Sequence, residues 1–470
     1  MQFINRDREM AQLLRIFKQE VSSFVVVWGR RRLGKSRLLS EWTRRVHGTY
    51  WVADESSSAI QRQYLSEELE PVLPGFSAVT YPDWQRLLNR LSVDARHAGW
   101  RGPLVLDEFP YMVAAAPELP SILQRWIDRE KREGGIVLAL AGSSQRMMTD
   151  SVLSADAPLY GRADAMFRLE PLSPGYIPAA IHRSDPQRLL DFYTCWGGVP
   201  RYWELAAPYG DRYRDALDEL VLSPLGVLHD EINRLLHLEL PSAISLRPIL
   251  DSIGLGAHRM SEVASRLGTP ATSLSRGLSK LGELGYITRD IPFGENEKRG
   301  KKALYRLSDP FLRVWFRMVA PHRGALQAGS RSTRLNILAS VWPALRAEAW
   351  EDLCRMAVPY LRLFGRDWKP AMRYWQGNES EWDVVSTSLD GEYVVLGECK
   401  SLARPAGTAD MDTIVRTVLS KTVPVGVASH TARRQFVIFV PEVQDGVTID
   451  VAGISVIDGK RVFGALSEIG

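Results

Sequence analysis

A short apolar run near the start of the 470-residue chain leads directly into a glycine-rich loop. Phe24–Trp28 is apolar and rich in β-branched residues, and an apolar pattern with helical spacing follows the loop. Strand, loop and helix in this order are the context that a phosphate-binding loop with the spacing G-x-x-x-x-G-K-S requires. The loop consists of Gly29, Arg30, Arg31, Arg32, Leu33, Gly34, Lys35 and Ser36. We therefore expect a bound nucleoside triphosphate, with an ordinary glycine-rich turn as the alternative.

Each part of this loop has a predicted role. The glycines let the backbone curl, so that successive N–H groups face phosphate oxygens. Lys35 reaches the β- and γ-phosphates, the hydroxyl of Ser36 ligates Mg²⁺, and the helix N-terminus adds positive potential.

Composition limits the architecture and the location of the protein. The 470 residues are too many for one core and suggest about three or four domains. Cys195, Cys354 and Cys399 are far apart, which favours a reducing compartment and no disulfide framework. The apolar runs are shorter than the ~20 residues that span a bilayer, and the charged N-terminus does not resemble a signal peptide. We therefore expect a cytoplasmic protein without a membrane partner. A net charge of +4 barely favours nucleic acid by itself.

Two later apolar runs end in polar residues that suit the same site. Pro103–Glu108 predicts a buried parallel strand with carboxylates only at its carboxyl end. There Asp107 is placed to hold Mg²⁺ through water, and Glu108 is placed to orient or deprotonate the attacking water. The run Ile136–Ala141 ends near Ser143, which could sense the γ-phosphate or simply cap the next helix. Together with Tyr50–Ala53, these runs predict an α/β fold with a parallel sheet.

Further along the chain, Arg162 lies in a glycine-containing turn. An arginine at this place can contact the γ-phosphate as a finger, in cis or from a neighbouring subunit. The alternative is a surface salt bridge. If the finger acts in trans, the protein is a homo-oligomer.

The order of these segments resembles the archaeal-type ATPases, a branch of the AAA+/STAND-related P-loop NTPases. The resemblance covers about residues 1–240 and includes Asn5-Arg6-Asp7, GRRRLGKS, LVLDEFP, AGSSQRMM, PLYGR and GGVPRYWEL. It implies an ATPase core over 1–180, with ATP as the nucleotide, and a helical lid over 181–240. It also implies that Asn5 and Arg6 lie near the base.

The segment 241–325 has the pattern of a winged helix. Met260–Gly268 and Ala271–Glu283 predict two helices, and Tyr286–Arg289 and Ala303–Leu307 predict a two-stranded wing. Basic residues on the second helix and at the tip of the wing are the expected DNA contacts. They are Arg276, Lys280, Lys298, Arg299, Lys301 and Lys302. A module that only contacts protein is the alternative.

The segment 326–470 carries a second group of acidic and basic residues. Glu381–Val385 and Tyr393–Lys400 predict two strands joined by a turn at Asp390-Gly391. Glu398 and Lys400 would share one face, with Asp383 opposite them and Cys399 turned to the core. Asp383, Glu398 and Glu351 could then hold Mg²⁺, while Lys400 orients or activates water.

This group resembles the PD-(D/E)xK nuclease superfamily, with Asp383 as the first acid and Glu398-Cys399-Lys400 as E-x-K. The usual proline before the first acid is absent. The complete expectation is therefore a multidomain α/β protein that acts on DNA, as an ATP-regulated, Mg²⁺-dependent nuclease. The alternative is an ATP-dependent switch or DNA-binding protein whose nuclease-like domain does not cut, in the setting of a mobile element or defence system.

Overall fold

The chain folds into two compact units in the computed structural model. The structure describes residues 4–143, 148, 152, 154–239, 243–296, 302–377, 379–424, 433–447, 451 and 453–469. The N-terminal unit consists chiefly of Asn5–Pro171, and the C-terminal unit chiefly of Leu172–Leu236 and Ser242–Gly470. The domain limits expected at 180, 240 and 325 stay predictions.

The N-terminal unit is built on a five-stranded sheet. Its strands are β1 Ser23–Trp28, β2 Thr49–Val52, β3 Leu104–Asp107, β4 Val137–Gly142 and β5 Ala165–Arg168. The order across the sheet is β2-β3-β4-β1-β5, and every neighbouring pair is parallel. Because β3 and β4 are buried along their whole length, only apolar residues precede the polar groups at their carboxyl ends.

Helices cover this sheet and bury one continuous apolar core. They are Asp7–Lys18, Lys35–Val46, Ser58–Leu69, Trp84–Ala98, Phe109–Ala115 and Leu119–Glu133. The helix Lys35–Val46 begins directly after Gly34, as the loop pattern predicts. The carboxyl ends of β1, β3 and β4 meet at one edge of the sheet, and this edge carries the loop.

After Leu172 the chain forms a series of helices, most of them short. They are Ile177–Ile181, Pro186–Trp196, Pro200–Ala206, Tyr213–Leu217, Glu231–Glu239 and Ala243–Gly254. The helices Met260–Leu267 and Ala271–Glu283 follow, and then an antiparallel hairpin of β6 Ile287–Asp290 and β7 Leu304–Leu307. Two helices followed by this hairpin are the layout of a winged helix. Gly268 ends the first helix with a φ of 61°, a left-handed conformation that suits glycine.

The last part of the chain packs a mixed sheet against a long helix. Its helices are Pro310–Val314, Arg323–Ala328, the long helix Arg331–Ala357, Thr408–Ser420 and Gly459–Leu466. The strands are β8 Met372–Tyr374, β9 Trp382–Thr387, β10 Tyr393–Cys399, β11 Arg433–Phe439 and β12 Ile454–Ile457, in the order β12-β11-β10-β9-β8. β8, β9 and β10 pair antiparallel, whereas β10, β11 and β12 pair parallel. The predicted α/β class is confirmed.

Candidate nucleotide site and C-terminal carboxylate cluster

The glycine-rich loop has a backbone that only some residues can adopt. Gly29 has a φ of +147°, and a Cβ at this position would lie 2.7 Å from the carbonyl oxygen of Leu169. Gly34 has a φ of +85° immediately before the helix that starts at Lys35. Arg32 also has a positive φ, of 69°. The two glycines therefore permit the curled path that a phosphate cradle needs.

Lys35 is held by the loop from which it extends. Its Nζ donates hydrogen bonds to the carbonyl oxygens of Gly29, at 2.7 Å, and Arg30, at 3.0 Å. The residue is only 5% exposed, so its charge acts in a poorly hydrated environment. A positive charge fixed beside the loop amides suits the binding of an anionic phosphate chain.

Ser36, Asp107 and Tyr50 form one hydrogen-bonded group. The Ser36 hydroxyl and the Tyr50 hydroxyl both donate to Oδ2 of Asp107, at 2.7 and 2.6 Å. The backbone N–H of Glu108 donates to Oδ1 of Asp107 at 2.8 Å. Burial raises the pKa of Tyr50, and the charge of Asp107 raises it further, so the tyrosine stays protonated as a donor. A hydroxyl and a carboxylate at this distance are a donor set that fits Mg²⁺.

Glu108 and Ser143 connect the ends of two strands in the same sheet. The Ser143 hydroxyl donates to Oε1 of Glu108 at 2.7 Å, and its N–H donates to Oε2 at 3.3 Å. Glu108 adopts a φ of 52°, which turns the chain sharply after β3. The carboxylate is therefore oriented by a neighbouring strand, as a group that positions water needs to be.

Arg6 supports the loop in a way that the sequence does not reveal. Its Nη2 donates to the carbonyl oxygen of Leu33 in the loop, at 3.1 Å, and to that of Glu170, at 2.6 Å. Nη1 pairs with Glu9 at 2.9 Å, and the residue is 6% exposed. The side chain of Asn5 accepts a hydrogen bond from the N–H of Arg6 at 2.7 Å. The described contacts place Arg6 against the loop backbone; contact with the base stays a prediction.

Arg162 lies in a salt bridge on the N-terminal unit. Its Nε and Nη2 lie 3.0 and 3.2 Å from the two carboxylate oxygens of Asp128. Nη1 donates to the carbonyl oxygen of Pro158 at 3.2 Å. This arrangement corresponds to the salt-bridge alternative, and a finger role would require Arg162 to leave Asp128.

The expected DNA contacts are only partly described. Arg276 and Lys280 lie on the helix Ala271–Glu283, with Arg276 exposed and Lys280 half-buried, 3.7 Å from Glu283. Lys302 pairs with Glu295 and donates to Oε1 of Gln376 at 3.2 Å. Lys298, Arg299 and Lys301 lie outside the described residues.

Asp383, Glu398 and Lys400 come together at the ends of β9 and β10. The antiparallel register pairs Gly397 with Val384, so the next step along each strand brings Glu398 beside Asp383. The N–H of Cys399 donates to Oδ2 of Asp383 at 2.9 Å. Lys400 Nζ lies 2.8 Å from Glu398 Oε1. Cys399 is buried as predicted, but every residue of β10 is buried, including Glu398, so burial does not distinguish the two faces of this strand.

A second lysine, Lys421, contacts the same carboxylate. Its Nζ pairs with Oε2 of Glu398, donates to the carbonyl oxygen of Glu381 at 2.6 Å, and lies 5.0 Å from the ring of Trp382. Lys421 could not be predicted from the sequence, because it follows the helix Thr408–Ser420 and is far from the strand motif. No local pattern marks it.

The other charged groups of this cluster are partly buried and interact with one another. Burial raises the pKa of Asp383, and the charge of Glu398 raises it further. Burial likewise raises the pKa of Glu351, with a contribution from Asp383. Burial opposes protonation of Lys400, but its bond to Glu398 raises its pKa overall. Glu351 also lies 3.5 Å from Arg355 and 3.9 Å from Arg373.

The carboxylates of this cluster are not arranged as a metal site. Among the described residues, no group of three or more His, Cys, Asp or Glu could hold a metal ion. Glu398 lies between two ammonium groups, and Glu351 pairs with arginines, so these carboxylates already have cationic partners. The donor set of Glu351, Asp383 and Glu398 therefore does not fit a divalent cation in this arrangement.

Comparisons with known proteins identify two regions of the chain. Residues 3–199 match the model of a family described as an ATPase domain predominantly from Archaea. Residues 315–406 match a family described as archaeal and bacterial proteins of unknown function. An uncharacterised protein of Methanocaldococcus jannaschii is 27% identical over 328 residues, which cover 70% of this chain and 71% of that protein.

The fold also resembles solved structures. A Walker-type ATPase of Pyrococcus abyssi superposes with a TM-score of 0.52 at 16% identity, covering 67% of this chain and 96% of that one. The ORC2 protein of Aeropyrum pernix gives a TM-score of 0.44 at 16% identity, covering 73% of this chain and 97% of that one. Within the described residues, no helix is both long and apolar enough to cross a membrane. The chain is thus a P-loop ATPase, and its residues 3–199 are an ATPase domain of the archaeal type.

Proposed function

We propose that this protein is a Mg²⁺-dependent ATPase that acts on DNA. The observation that carries the catalytic part is the paired hydrogen bonding at the carboxyl edge of the sheet: Ser36 with Asp107 at 2.7 Å, and Ser143 with Glu108 at 2.7 Å. One pair offers oxygen ligands for a cation, and the other offers an oriented carboxylate for water.

The residues of the loop and those at the strand ends have different roles in hydrolysis. Lys35 and the loop amides bind the phosphate chain and compensate its charge. Ser36 and Asp107 would hold Mg²⁺, which when bound offsets negative charge on the phosphates. Glu108 orients the attacking water and accepts its proton, and Ser143 holds Glu108 in position.

The DNA part of the proposal rests on the winged-helix layout. The helix Ala271–Glu283 presents Arg276 at its surface, with Lys280 one turn further on. A second helix placed in this way can enter a major groove, and basic side chains contact phosphates. Lys298, Arg299, Lys301 and Lys302 would add contacts from the hairpin.

Electrophoretic mobility shifts with a duplex DNA test this part directly. Replacing both Arg276 and Lys280 by Gln should weaken binding and lower the salt dependence of the binding constant, because each lost phosphate contact reduces counterion release. Exchange of the exposed Arg183 for Gln is the matched control. Unchanged affinity and salt slope in the double variant would assign the module to protein contacts instead.

A second candidate function is DNA cleavage by the C-terminal cluster. The observation that favours it is the convergence of Asp383, Glu398 and Lys400, which the E-x-K pattern predicts. The contacts of Lys421 favour the alternative of a domain that does not cut. Plasmid nicking by wild type, lost in both Asp383→Ala and Lys400→Ala, would support cleavage. A plasmid that stays intact with ATP and Mg²⁺ together, and also with each of them alone, would favour the ATP-dependent switch.

If Arg162 acts as a finger in trans, the ATPase works as a homo-oligomer. Breaking its bond to Asp128 would then be part of assembly. The rate of ATP hydrolysis should then rise more than proportionally with protein concentration. Loss of this concentration dependence in Arg162→Ala would support the trans arrangement.

A further inference from the structure

Tyr50 shares one face of the parallel sheet with Asp107. It lies on β2, which is at one end of the strand order and pairs with β3. In the parallel register Tyr50 is opposite Val105, and Val105 and Asp107 point to the same face because they are two residues apart. Trp51 points to the other face and packs in the apolar core. The alternation of the strand therefore directs the Tyr50 side chain toward the carboxylate at the end of β3.

Asp107 is held at both of its carboxylate oxygens. The hydroxyls of Tyr50 and Ser36 donate to Oδ2, at 2.6 and 2.7 Å, and the N–H of Glu108 donates to Oδ1 at 2.8 Å. The main chain is held as well, because the N–H of Ala53 donates to the carbonyl oxygen of Asp107 at 2.9 Å. Asp107 is only 1% exposed, so these donors replace the water that a free carboxylate would bind.

The contact with Tyr50 limits the rotation of the Asp107 carboxylate. The last torsion of an aspartate side chain has broad minima, so the plane of an unrestrained carboxylate turns easily. A donor on each oxygen fixes this plane. The N–H of Glu108 supplies the donor on Oδ1, and Tyr50 supplies a donor on Oδ2 from the neighbouring strand. The orientation of the carboxylate therefore depends on β2 as well as on β3.

The two donors on Oδ2 differ in their other roles. Ser36 is the residue whose hydroxyl oxygen would also ligate Mg²⁺. Tyr50 is half-buried on another element of the sheet. Burial raises the pKa of Tyr50, and the charge of Asp107 raises it further, so the hydroxyl keeps the proton that it donates. Tyr50 can therefore hold Asp107 in place while Ser36 faces a cation.

We propose that Tyr50 is a positioning residue that orients Asp107 for a divalent cation. This inference rests on the Mg²⁺-dependent ATPase function proposed above. Tyr50 acts through Asp107, whereas Lys35 and the loop amides bind the phosphate chain. Loss of the Tyr50 hydroxyl should therefore reduce the contribution of Mg²⁺ to nucleotide binding and leave binding without Mg²⁺ unchanged.

Titration of the full chain with a fluorescent ATP analogue tests the proposal, because the signal reports binding rather than turnover. Affinity is measured in EDTA and over a series of Mg²⁺ concentrations. Tyr50→Phe keeps the aromatic ring and removes only the hydroxyl. We expect the half-saturating Mg²⁺ concentration to rise about fivefold, as the loss of one hydrogen bond implies, while affinity in EDTA matches wild type. Tyr64→Phe, at a tyrosine of the same unit that is 45% exposed, is the control and should match wild type in both.

Three results would overturn the role of Tyr50. If Tyr50→Phe keeps the wild-type Mg²⁺ dependence, Asp107 is oriented without the hydroxyl. If Tyr50→Phe weakens binding equally in EDTA and in Mg²⁺, the hydroxyl supports the loop and not the cation site. If Tyr50→Phe needs less Mg²⁺ than wild type, the hydroxyl competes with the cation for Asp107.

Failure of this role differs from failure of the proposed function. If Mg²⁺ does not change nucleotide affinity in wild type, both the Mg²⁺ site at Ser36 and Asp107 and the role of Tyr50 are wrong. If Mg²⁺ raises affinity in wild type and equally in Tyr50→Phe, the Mg²⁺ site stands and only the role of Tyr50 is wrong.

Discussion

The hydroxyl of Ser36 donates a hydrogen bond of 2.7 Å to the carboxylate of Asp107, 71 residues further along the chain. Ser36 lies in the first turn of the helix after the loop, and Asp107 is the last residue of β3. Another strand, β4, lies between β1 and β3, so this contact spans the centre of the sheet. The two residues join the phosphate-binding loop to the carboxylates that follow it.

Exchange of Asp107 for Asn should abolish most ATP hydrolysis. The amide keeps the shape of the side chain but removes the charge that would hold Mg²⁺, so kcat should fall by at least about 100-fold. Release of phosphate at saturating ATP and Mg²⁺ measures the effect. Exchange of the exposed Asp156 for Asn is the control; a loss below about threefold in Asp107→Asn would place the cation elsewhere.

Glu108 and Ser143 should differ in the size of their effects. Glu108→Gln removes the group that accepts a proton from water and should lower kcat by about 10²–10⁴-fold while ATP still binds. Ser143→Ala removes only the hydroxyl that orients Glu108, so the loss should be about tenfold. Single-turnover hydrolysis and nucleotide titration separate chemistry from binding. Equal losses in both variants would contradict these assigned roles.

Arg6→Ala should weaken nucleotide binding without removing a catalytic group. The loop loses its hydrogen bond at Leu33, and the carbonyl of Glu170 loses its partner. We expect a KM for ATP about tenfold higher, and the N-terminal unit to be less stable by about 1–3 kcal/mol. Arg8→Ala, at an exposed position two residues later, is the comparison. A KM unchanged in Arg6→Ala would show that the loop is held without it.

Asp383 should make the C-terminal unit less stable as pH rises. Its pKa is raised in the folded state, so the folded chain binds more protons than the unfolded chain between the ordinary value near 4 and the raised value. The free energy of unfolding therefore falls as pH rises through this window and stays lower above it. Asp383→Asn removes this dependence, so the variant should gain stability relative to wild type as pH rises from 4 to 8.

Urea denaturation at the two pH values measures this effect. Asp412→Asn, at an exposed position on a helix of the same unit, should change stability by less than about 0.5 kcal/mol at both. If the difference in the free energy of unfolding between wild type and Asp383→Asn is the same at both pH values, the pKa of Asp383 is not raised in the folded state.

The local elements could be predicted because each carries its own signal. The loop at Gly29, the buried run that ends at Asp107 and the helix Ala271–Glu283 are all defined by neighbouring residues. The strand order could not be predicted, because pairing of β1 with β4 and β5 depends on residues more than 100 positions away. β5 has only four residues, and its exposed Met166 is apolar, so the sequence lacks the alternation of polar and apolar residues that marks a strand.

In the functional sites, too, only residues that belong to a local sequence motif could be predicted. Lys35, Ser36, Asp107 and Glu108 belong to motifs, so their proximity follows from a parallel sheet. Arg6 and Lys421 act through contacts with distant backbone and side chains that no spacing encodes. Lys421 also changes the interpretation of the E-x-K strand, because its ammonium group neutralises the carboxylate expected to bind a cation.

Steady-state ATP hydrolysis with and without duplex DNA shows whether nucleotide hydrolysis serves an action on DNA. We expect plasmid DNA to raise kcat several-fold at saturating Mg²⁺ and ATP. The Arg276→Gln, Lys280→Gln double variant should keep the basal rate and lose the stimulation. If DNA leaves the rate unchanged, and the protein also fails to shift duplex DNA in the presence of ATP, the ATPase does not act on DNA.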